Sequence, residues 1–352
     1  MKRFQSAVLA ALVAMIAVSG VIPAISASAA SSASLSIVPT KKYVVEPGKS
    51  IKDTLIIRNL DEKSTLDLTL RVVDFTFNDD GGTPKLMLAE DAPQTTWSLK
   101  PFMKVPQSVS IAPKASKIVD ISMAIPAGHG AGSYYSAIVY SSGAADGGNV
   151  GLSASGVTLV FTSIPGKVNE DLKLEKFGAY HKATNGKEAR YTMFTTTKPE
   201  NIAYTLKNNG NVTESPVGTI TLKHMFGKEQ VISDINPNGS LALIGQTRTF
   251  TSCIKLKSQE VDFNGRKTQT TACSTPSLWP GMYKAELNGF YGQNGNRTQE
   301  IVANATFWYL PWWFVLVFSI AVLVAAYYIW KLVRVIRDFT DRMASKRGPR
   351  RR

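Results

Sequence analysis

Cysteine and histidine are scarce in this chain of 352 residues, which contains two cysteines and three histidines. His129, His181 and His224 are far apart in sequence, and the cysteines do not form a C-x-x-C pair. G-x-S-x-G, H-E-x-x-H and a glycine-rich phosphate loop before a helix are also absent from the sequence. We therefore predict that the protein is not an enzyme and binds no cofactor. An enzyme acting on wall glycans is an alternative, because two carboxylates brought together by the fold leave no local signature.

The acidic turn Asn78-Asp79-Asp80-Gly81 has ligand types that suit Ca²⁺. It lacks the regular spacing of oxygen ligands that a dedicated calcium loop has. A hairpin turn explains the same four residues without a metal ion. The sequence therefore predicts no metal site.

Charged residues are absent from one long stretch, 307–330, which reads FWYLPWWFVLVFSIAVLVAAYYIW. At ~1.5 Å per residue a helix of this length extends roughly 36 Å, enough to cross a ~30 Å hydrocarbon core. Amphipathic aromatic rings settle at the two headgroup layers of a bilayer. We therefore predict a transmembrane helix over 307–330, with membrane-interface anchors at Trp308, Trp312, Trp313, Tyr327, Tyr328 and Trp330. A buried core helix, the alternative, would not be followed by a run of Lys and Arg.

Basic residues follow this stretch, because 331–352 contains nine Lys and Arg against two Asp. Lys331, Arg334 and Arg337 are the predicted stop-transfer residues, and the positive-inside rule predicts that 331–352 is a cytoplasmic tail. Half of the chain's net charge of +14 lies in this tail. The basic composition therefore reflects membrane topology, and we predict no nucleic-acid partner.

The N-terminus has the three parts of an export signal. Lys2 and Arg3 are followed by an apolar run and then by the small residues Ala27-Ser28-Ala29. This pattern predicts a signal peptide over 1–30 that is removed on export. The predicted product is a single-pass type I protein of the cytoplasmic membrane, with its ectodomain outside on the cell-wall side and a short cytoplasmic tail.

The region between the signal peptide and the predicted helix has roughly 275 residues, enough for two domains. Short runs rich in Val, Ile, Thr and Tyr alternate there with turn pairs such as Asn209-Gly210 and Asn264-Gly265. A new alternation begins after Ile164-Pro165-Gly166. We therefore predict an all-β fold of two tandem immunoglobulin-like β-sandwiches, over 31–165 and 166–306, followed by one transmembrane α-helix.

Four stretches carry a resemblance to a known family: PGKSIKDTLIIRNL at 47–60, GSYYSAIVY at 132–140, NGNVTESPVGTITL at 209–222 and WPGMYKAEL at 279–287. In this order they resemble the WxL-interacting protein family of Gram-positive-type cell surfaces. The resemblance implies a peptidoglycan-binding β-sandwich, a second β-sandwich implicated in host binding and a C-terminal membrane anchor. The cysteine pair departs from the family, so no binding residue is carried over by position.

Cys253 and Cys273 both lie in the part of the chain that we predict to be exported, where disulfides form and persist. A disulfide between them would close a loop of about 20 residues and stabilise the fold by ~3 kcal/mol through restriction of the unfolded chain. A redox or metal pair is the alternative, and it needs C-x-x-C spacing or nearby histidines. We therefore predict a disulfide between Cys253 and Cys273.

Two features of the ectodomain are candidates for binding. The segment 141–156, SSGAADGGNVGLSASG, is long for a hairpin loop and is either mobile padding or a contact loop. The edges of the sandwiches are the second candidate, because an exposed edge can accept a strand from another protein.

These observations predict a non-enzymatic, membrane-anchored cell-surface protein. Its expected partners are cell-wall polymer (peptidoglycan), exported surface proteins, or both, in adhesion or in a surface-complex scaffold. The alternative is a membrane-anchored assembly chaperone that uses β-strand addition, as paired-sandwich pilus chaperones do. The two differ in the persistence of the complex, because an adhesin keeps its partner whereas a chaperone releases it.

Overall fold

The computed structural model describes residues 35–77, 83–89, 91–142, 154–184, 188–263, 266–292 and 298–346. These residues form 22 strands and one C-terminal helix, which confirms the predicted fold class. The predicted signal peptide, the acidic turn at 78–81, the centre of the 141–156 segment and the last six residues of the predicted tail lie outside the described residues.

The first sandwich packs a four-stranded sheet against a five-stranded sheet. The four-stranded sheet consists, in spatial order, of β1 (Leu35–Ser36), β3 (Ser50–Asn59), β9 (Ser116–Ala124) and β7 (Met103–Lys104). The five-stranded sheet consists of β2 (Thr40–Val44), β11 (Ala154–Ile164), β10 (Gly132–Ser142), β4 (Leu66–Val73) and β8 (Ser108–Ile111). A short hairpin of β5 (Phe75–Phe77) and β6 (Pro84–Leu86) follows β4. Within both sheets the paired strands are antiparallel, except that β2 runs parallel to β11.

Alternate side chains of the first sandwich point into its core, as expected for strands with one face toward solvent. In β3, Leu55 and Ile57 are buried while Ile56 between them is exposed. In β9, Val119, Ile121 and Met123 are buried, and Asp120 between the first two is exposed. The two inner faces meet in one apolar core.

The second sandwich has the same four-plus-five arrangement. Its four-stranded sheet consists of β13 (Arg190–Tyr191), β12 (Leu172–His181), β15 (Asn201–Asn208) and β18 (Thr247–Cys253). Its five-stranded sheet consists of β14 (Phe194–Thr195), β22 (Gln299–Tyr309), β21 (Gly281–Tyr291), β16 (Val217–His224) and β17 (Glu229–Ile232). The two remaining strands, β19 (Leu256–Phe263) and β20 (Arg266–Cys273), form a separate two-stranded sheet.

Stacked aromatic pairs contribute to the core of the second sandwich. Tyr204 of β15 lies parallel to Phe250 of β18, with ring centroids 5.1 Å apart. In the other sheet, Tyr283 of β21 stacks on Phe307 of β22 at 5.2 Å. Such pairs contribute about 0.5–1.5 kcal/mol each beyond the burial of their area.

The helix, α1, comprises Trp312–Lys346, whereas the sequence predicted a helix over 307–330. Phe307, Trp308 and Tyr309 instead complete β22 and pair with β21. Phe307 is fully buried in the core of the second sandwich, so the chain is still part of that sandwich here. Trp308 is accordingly a residue of β22 and lies outside the helix, and its role as a membrane-interface anchor stays a prediction. Aromatic residues suit strands as well as membrane interfaces, so composition alone did not separate the two.

The segment Trp312–Thr340 of α1 is long and apolar enough to cross a membrane. The helix does not end at Trp330, because it continues without a break to Lys346. The predicted tail therefore begins within the helix. Lys331, Arg334 and Arg337 extend the same α-helix beyond its apolar part.

An apolar interface joins the two sandwiches. Tyr135, Ala137 and Val139 lie on the face of β10 that points away from the core of the first sandwich, and all three are buried. They form one cluster with Phe75 and with Leu243 of the second sandwich. Both faces of β10 are thus buried, one in the core of its own sandwich and one against the neighbouring domain.

Asn211 adds hydrogen bonds to this interface. Its carbonyl oxygen accepts from the Ser133 N–H at 2.9 Å, and its side-chain amide donates to the Ala131 carbonyl at 3.0 Å. Gly132, between these two residues, has a φ of +146°, and a Cβ there would lie 2.6 Å from the Asn211 carbonyl oxygen. This close approach therefore requires glycine.

We predict that Gly132→Ala lowers the free energy of unfolding by more than about 1 kcal/mol, because alanine is strained at this φ and its Cβ pushes the sandwiches apart. Gly128→Ala is the matched control, since a Cβ at Gly128 meets nothing within 4 Å. Denaturant unfolding of the detergent-solubilised protein measures both variants. Equal midpoints for the two variants would contradict the proposed contact.

Candidate binding site

Among the described strands, β19 and β20 are the most exposed, and we call their two-stranded sheet the arm. Its strands pair antiparallel over eight residue pairs, from Leu256–Cys273 at the base to Phe263–Arg266 at the other end. In the part of the chain that the structure describes, neither strand pairs with any other strand. The arm therefore has two unpaired strand edges.

Both faces of the arm are open as well. Residues 256–262 of β19 and 267–271 of β20 are all exposed, so neither face packs on a sandwich. The side chains are mainly polar, and Glu260 forms an ion pair with Lys267 at 3.4 Å. A polar hairpin that buries neither face contributes little to folding, so a contact with another molecule is the function that its exposure allows.

The register of the arm determines which of its backbone N–H and C=O groups point outward. The Ser274 N–H donates to the Lys255 carbonyl at 2.8 Å just below the base, which marks 255–274 as a hydrogen-bonded pair. Such pairs alternate with pairs whose N–H and C=O groups point away from the partner strand. Ser258 and Thr271 form one of these other pairs, so their backbone groups point outward at opposite edges.

A disulfide between Cys253 and Cys273 closes the base of the arm, with the two Cα atoms 5.3 Å apart. It joins the end of β18 in the second sandwich to the end of β20. The Ile254 N–H also donates to the Glu200 carbonyl at 2.9 Å, and the Gln230 side chain donates to the Ile254 carbonyl. An isolated two-stranded hairpin is marginally stable in water, so these contacts hold it in shape.

Natural proteins protect open strand edges with charges, proline, bulges or a covering element. The arm has charged side chains, but its sequence contains no proline and its ladder contains no bulge. The charges limit indiscriminate pairing, whereas the lack of proline and of a bulge leaves the backbone N–H and C=O groups of both edges able to pair with an extended strand. This geometry suits β-strand addition, in which main-chain hydrogen bonds supply the affinity.

A groove of about 490 Å³ lies on the four-stranded sheet of the first sandwich, lined by Lys52, Asp53, Lys104, Pro106 and Asp120 among others. Hydrogen bonds from Lys41 and then Tyr43 lower the pKa of Asp53 to about 2, so this carboxylate is charged at neutral pH. The groove is open where β7 ends at Lys104, because Pro106 lacks the N–H that a longer β7 would need. It is the second candidate surface.

The histidines lie in three different environments. His129 packs between Phe102 and Tyr134, at ring-centroid distances of 4.7 and 4.5 Å. His224 packs on Tyr283, also at 4.7 Å. His181 Nε2 lies 3.1 Å from Thr195 Oγ1. No group of three or more His, Cys, Asp or Glu among the described residues is arranged to hold a metal ion.

A groove of about 680 Å³ at the helix end of the second sandwich contains His181 together with Lys198 and Glu200. The start of α1 closes one side of this groove through Val315. Its lining includes side chains of both charge signs. This groove places the 192–198 connection directly beside the first turns of the helix.

Glu214 is a buried carboxylate whose pKa lies well above its ordinary value. Burial raises its pKa to about 7, and nearby Glu170 adds to the shift. The Gly292 N–H donates to Glu214 Oε2 at 3.2 Å and opposes the shift. No hydrogen bond reaches Oε1 in the described structure. The folded state therefore favours the neutral acid at this position.

The other predicted site residues all lie on α1. Trp312 and Trp313 occupy its first turn, and Tyr327, Tyr328 and Trp330 lie near its middle, all with exposed side chains. Arg334 places its guanidinium 4.8 Å from the centroid of the Trp330 ring. Their roles as interface anchors and stop-transfer residues stay predictions. In the 141–156 segment, β10 extends to Ser142 and β11 begins at Ala154, and 143–153 is outside the described residues.

Sequence reasoning missed the arm as a separate element. The Asn264-Gly265 pair indicated a turn there, and the β-prone runs on each side of it indicated a hairpin. Neither signal shows whether a hairpin joins a sandwich or stands apart. The missing hydrophobic alternation in 256–273 is the signal that could have identified it.

No model of a protein family matches the chain, and no curated protein matches it. Among solved structures, a chaperone-tip adhesin complex of CFA/I fimbriae is similar over 79% of this chain and 99% of that chain, with 11% identity and a TM-score of 0.35. The class 5 fimbriae chaperone CfaA is similar over 77% and 98%, with 13% identity and a TM-score of 0.32. The E. coli chaperone DraB is similar over 68% and 98%, with 15% identity and a TM-score of 0.31. Similarity at this level carries no argument about what this chain binds.

We predict that the double variant Cys253→Ser, Cys273→Ser makes the arm more susceptible to cleavage by trypsin after Lys257, Arg266 and Lys267. Losing a disulfide that closes a loop of this size costs ~3 kcal/mol of stability. Because trypsin cleaves the transiently opened form of the arm, the cleavage rate should rise roughly 100-fold. Timed digestion followed by reducing gel electrophoresis measures the rate. Ser258→Ala keeps the disulfide and is the control, and equal rates in both proteins would contradict the stabilising role.

We also predict that Glu214→Gln removes part of the pH dependence of stability. Between pH of about 4.5 and 7 the folded state holds a proton on Glu214 that the unfolded state has lost. The free energy of unfolding therefore rises in the wild type as pH falls through this range, and this contribution is lost at higher pH. Unfolding midpoints at several pH values should show a weaker dependence for Glu214→Gln. Parallel curves for the two proteins would count against the raised pKa.

Proposed function

We propose that this chain is a non-enzymatic, single-span membrane protein that holds another exported protein outside the cytoplasmic membrane. Its partner contributes an extended strand that adds to an open edge of the arm. The observation that carries the proposal is the arm itself, with two free edges, two exposed faces and a disulfide at its base. The helix Trp312–Thr340 supplies the anchor.

The size of the arm suits this role. Eight paired residues at ~3.3 Å each give an edge of roughly 26 Å, which matches a strand of typical length. Every second residue of an edge strand offers an outward N–H and C=O, so an added strand of this length forms several main-chain hydrogen bonds. The mainly polar side chains of the arm permit a soluble free state.

The disulfide at its base also preorganises the arm, so the arm does not need to fold before it binds. The disulfide and the hydrogen bonds at the base hold both strands in register before a partner arrives. Binding then orders only the partner's strand, which reduces the entropy cost of association. This preorganisation supports a lasting complex, as an adhesin or a surface scaffold needs. An assembly chaperone using the same edge would release its partner, and the rate of dissociation separates the two.

Cell-wall polymer is a second candidate partner, and the charged side chains of the groove at Lys52 and Lys104 favour it. A glycan or its peptide stem can contact both lysines and the charged Asp53 in this groove. Binding through these charges would weaken with salt, because the Debye length contracts from ~10 Å at 0.1 M to ~3 Å at 1 M. Main-chain bonding at the arm would depend much less on salt.

The test uses the full chain in detergent, mixed separately with exported proteins and with insoluble wall material at low and high salt. Ser258→Pro with Thr271→Pro removes one outward N–H from each edge of the arm and leaves the inner ladder bonds in place. We expect this double variant to lose the exported protein, whereas Ser258→Ala with Thr271→Ala retains it. Lys52→Ala with Lys104→Ala should affect only the wall fraction.

Three outcomes would overturn the proposal. Retention of the exported protein by the proline variant would exclude the arm. Failure of the wild type to retain either fraction would exclude the binding function. Release of soluble fragments from the wall material would make the protein an enzyme.

A further inference from the structure

The helix begins almost directly at the end of the second sandwich. Only Leu310 and Pro311 separate β22, which ends at Tyr309, from Trp312 at the start of α1. The Leu310 N–H donates to the Thr195 carbonyl at 2.9 Å, so the connection is tied to the sandwich. The Phe314 N–H then donates to the Pro311 carbonyl at 2.9 Å and closes the first helical turn. A membrane crossed by this helix must therefore lie close to this end of the sandwich.

Three further connections reach the same level. Phe194 pairs with Trp308 at the parallel junction of β14 and β22. Tyr283 pairs with both His224 and Phe307, so the turn that follows His224 extends to the level of Tyr309. Gly281 pairs with Tyr309 itself, and the connection before Gly281 therefore ends beside the helix.

Each of these connections exposes large apolar side chains, and we call the set the apolar rim: Met193, Phe194, Met225, Phe226 and Trp279. Phe226 is 78% exposed and Trp279 is 72% exposed. Trp279 lines one groove together with Trp313 of α1, so the rim is continuous with the first turn of the helix. Large apolar residues grouped in this way mark a surface that is covered in the working protein.

Lysines accompany the rim. Lys198 lines the groove that holds Trp279 and Trp313, and Lys228 follows the Phe226 turn. The nearby Glu229 is already engaged with Lys223 at 3.6 Å. Aromatic rings with lysines beside them are the residues that settle at the headgroup layer, where the cations also attract anionic lipids.

We propose that the apolar rim inserts into the headgroup layer of the leaflet on the sandwich side. The second sandwich then rests on the lipid surface through three connections as well as through the helix. The inference depends on the membrane anchor proposed above and adds a lipid-binding surface to the ectodomain. Lipid is the expected occupant because the rim adjoins the helix that crosses the bilayer.

The test places one nitroxide label at a time on the full chain in nanodiscs of phosphatidylcholine and phosphatidylglycerol. The two native cysteines form the disulfide, so each introduced cysteine is the only free thiol. Phe226→Cys and Trp279→Cys report on the rim, and Val322→Cys reports on the apolar part of α1. Val302→Cys is the control, because Val302 is exposed on β22 roughly 23 Å from Tyr309.

Collision rates with oxygen, which concentrates in lipid, and with a water-soluble nickel complex give the depth of each label. We expect the two rim labels to lose most nickel collisions and gain oxygen collisions relative to Val302→Cys. Rim labels that match the control, while Val322→Cys remains in lipid, would overturn this inference and leave the anchor intact. If Val322→Cys also matches the control, the anchor itself is wrong and the inference falls with it. Rim labels shielded from both reagents, with spin–spin broadening between copies, would assign the rim to a second copy and overturn the lipid contact.

Discussion

The direct connection from the last strand to the helix determines the placement of the rest of the protein. With only Leu310 and Pro311 between β22 and α1, and with Leu310 bonded to Thr195, the second sandwich cannot move far from the start of the helix. The interface around Tyr135 and Asn211 then ties the first sandwich to the second. The helix is therefore joined to the second sandwich, and the second sandwich to the first, by packed contacts, without a long flexible linker among the described residues.

Much of the fold could be predicted from sequence because its strands follow simple local rules. Alternation in β3 buries Leu55 and Ile57, and in Ile164-Pro165-Gly166 the first residue ends β11 while the other two begin the connection to β12. The start of the helix was harder to predict, because Phe307, Trp308 and Tyr309 are residue types that suit both a strand and a membrane interface. Only their pairing with β21 separates the two roles. The burial of both faces of β10 was hidden as well, since it depends on contact with Leu243 more than 100 residues away.

The candidate site was only partly predictable for the same reason. Two cysteines permit only one intramolecular disulfide, and the structure joins Cys253 to Cys273. That the strands between them stand apart from both sandwiches is a property of tertiary packing, which no local pattern contains. The apolar rim is also invisible in sequence, because Phe194, Phe226 and Trp279 come from separate connections. Only the strand register brings them to one level beside the helix.

The disulfide also determines how the protein would carry mechanical load. A partner that pulls on the arm pulls on β19, which continues from β18, and on β20, which leads into β21. Because Cys273 is bonded to Cys253, tension on either strand is shared between these two routes. β18 belongs to one sheet of the second sandwich and β21 to the other, so the force is divided between both sheets before it reaches the helix. Without the covalent bond, tension on β20 would reach the sandwich only through β21 and thus through one sheet.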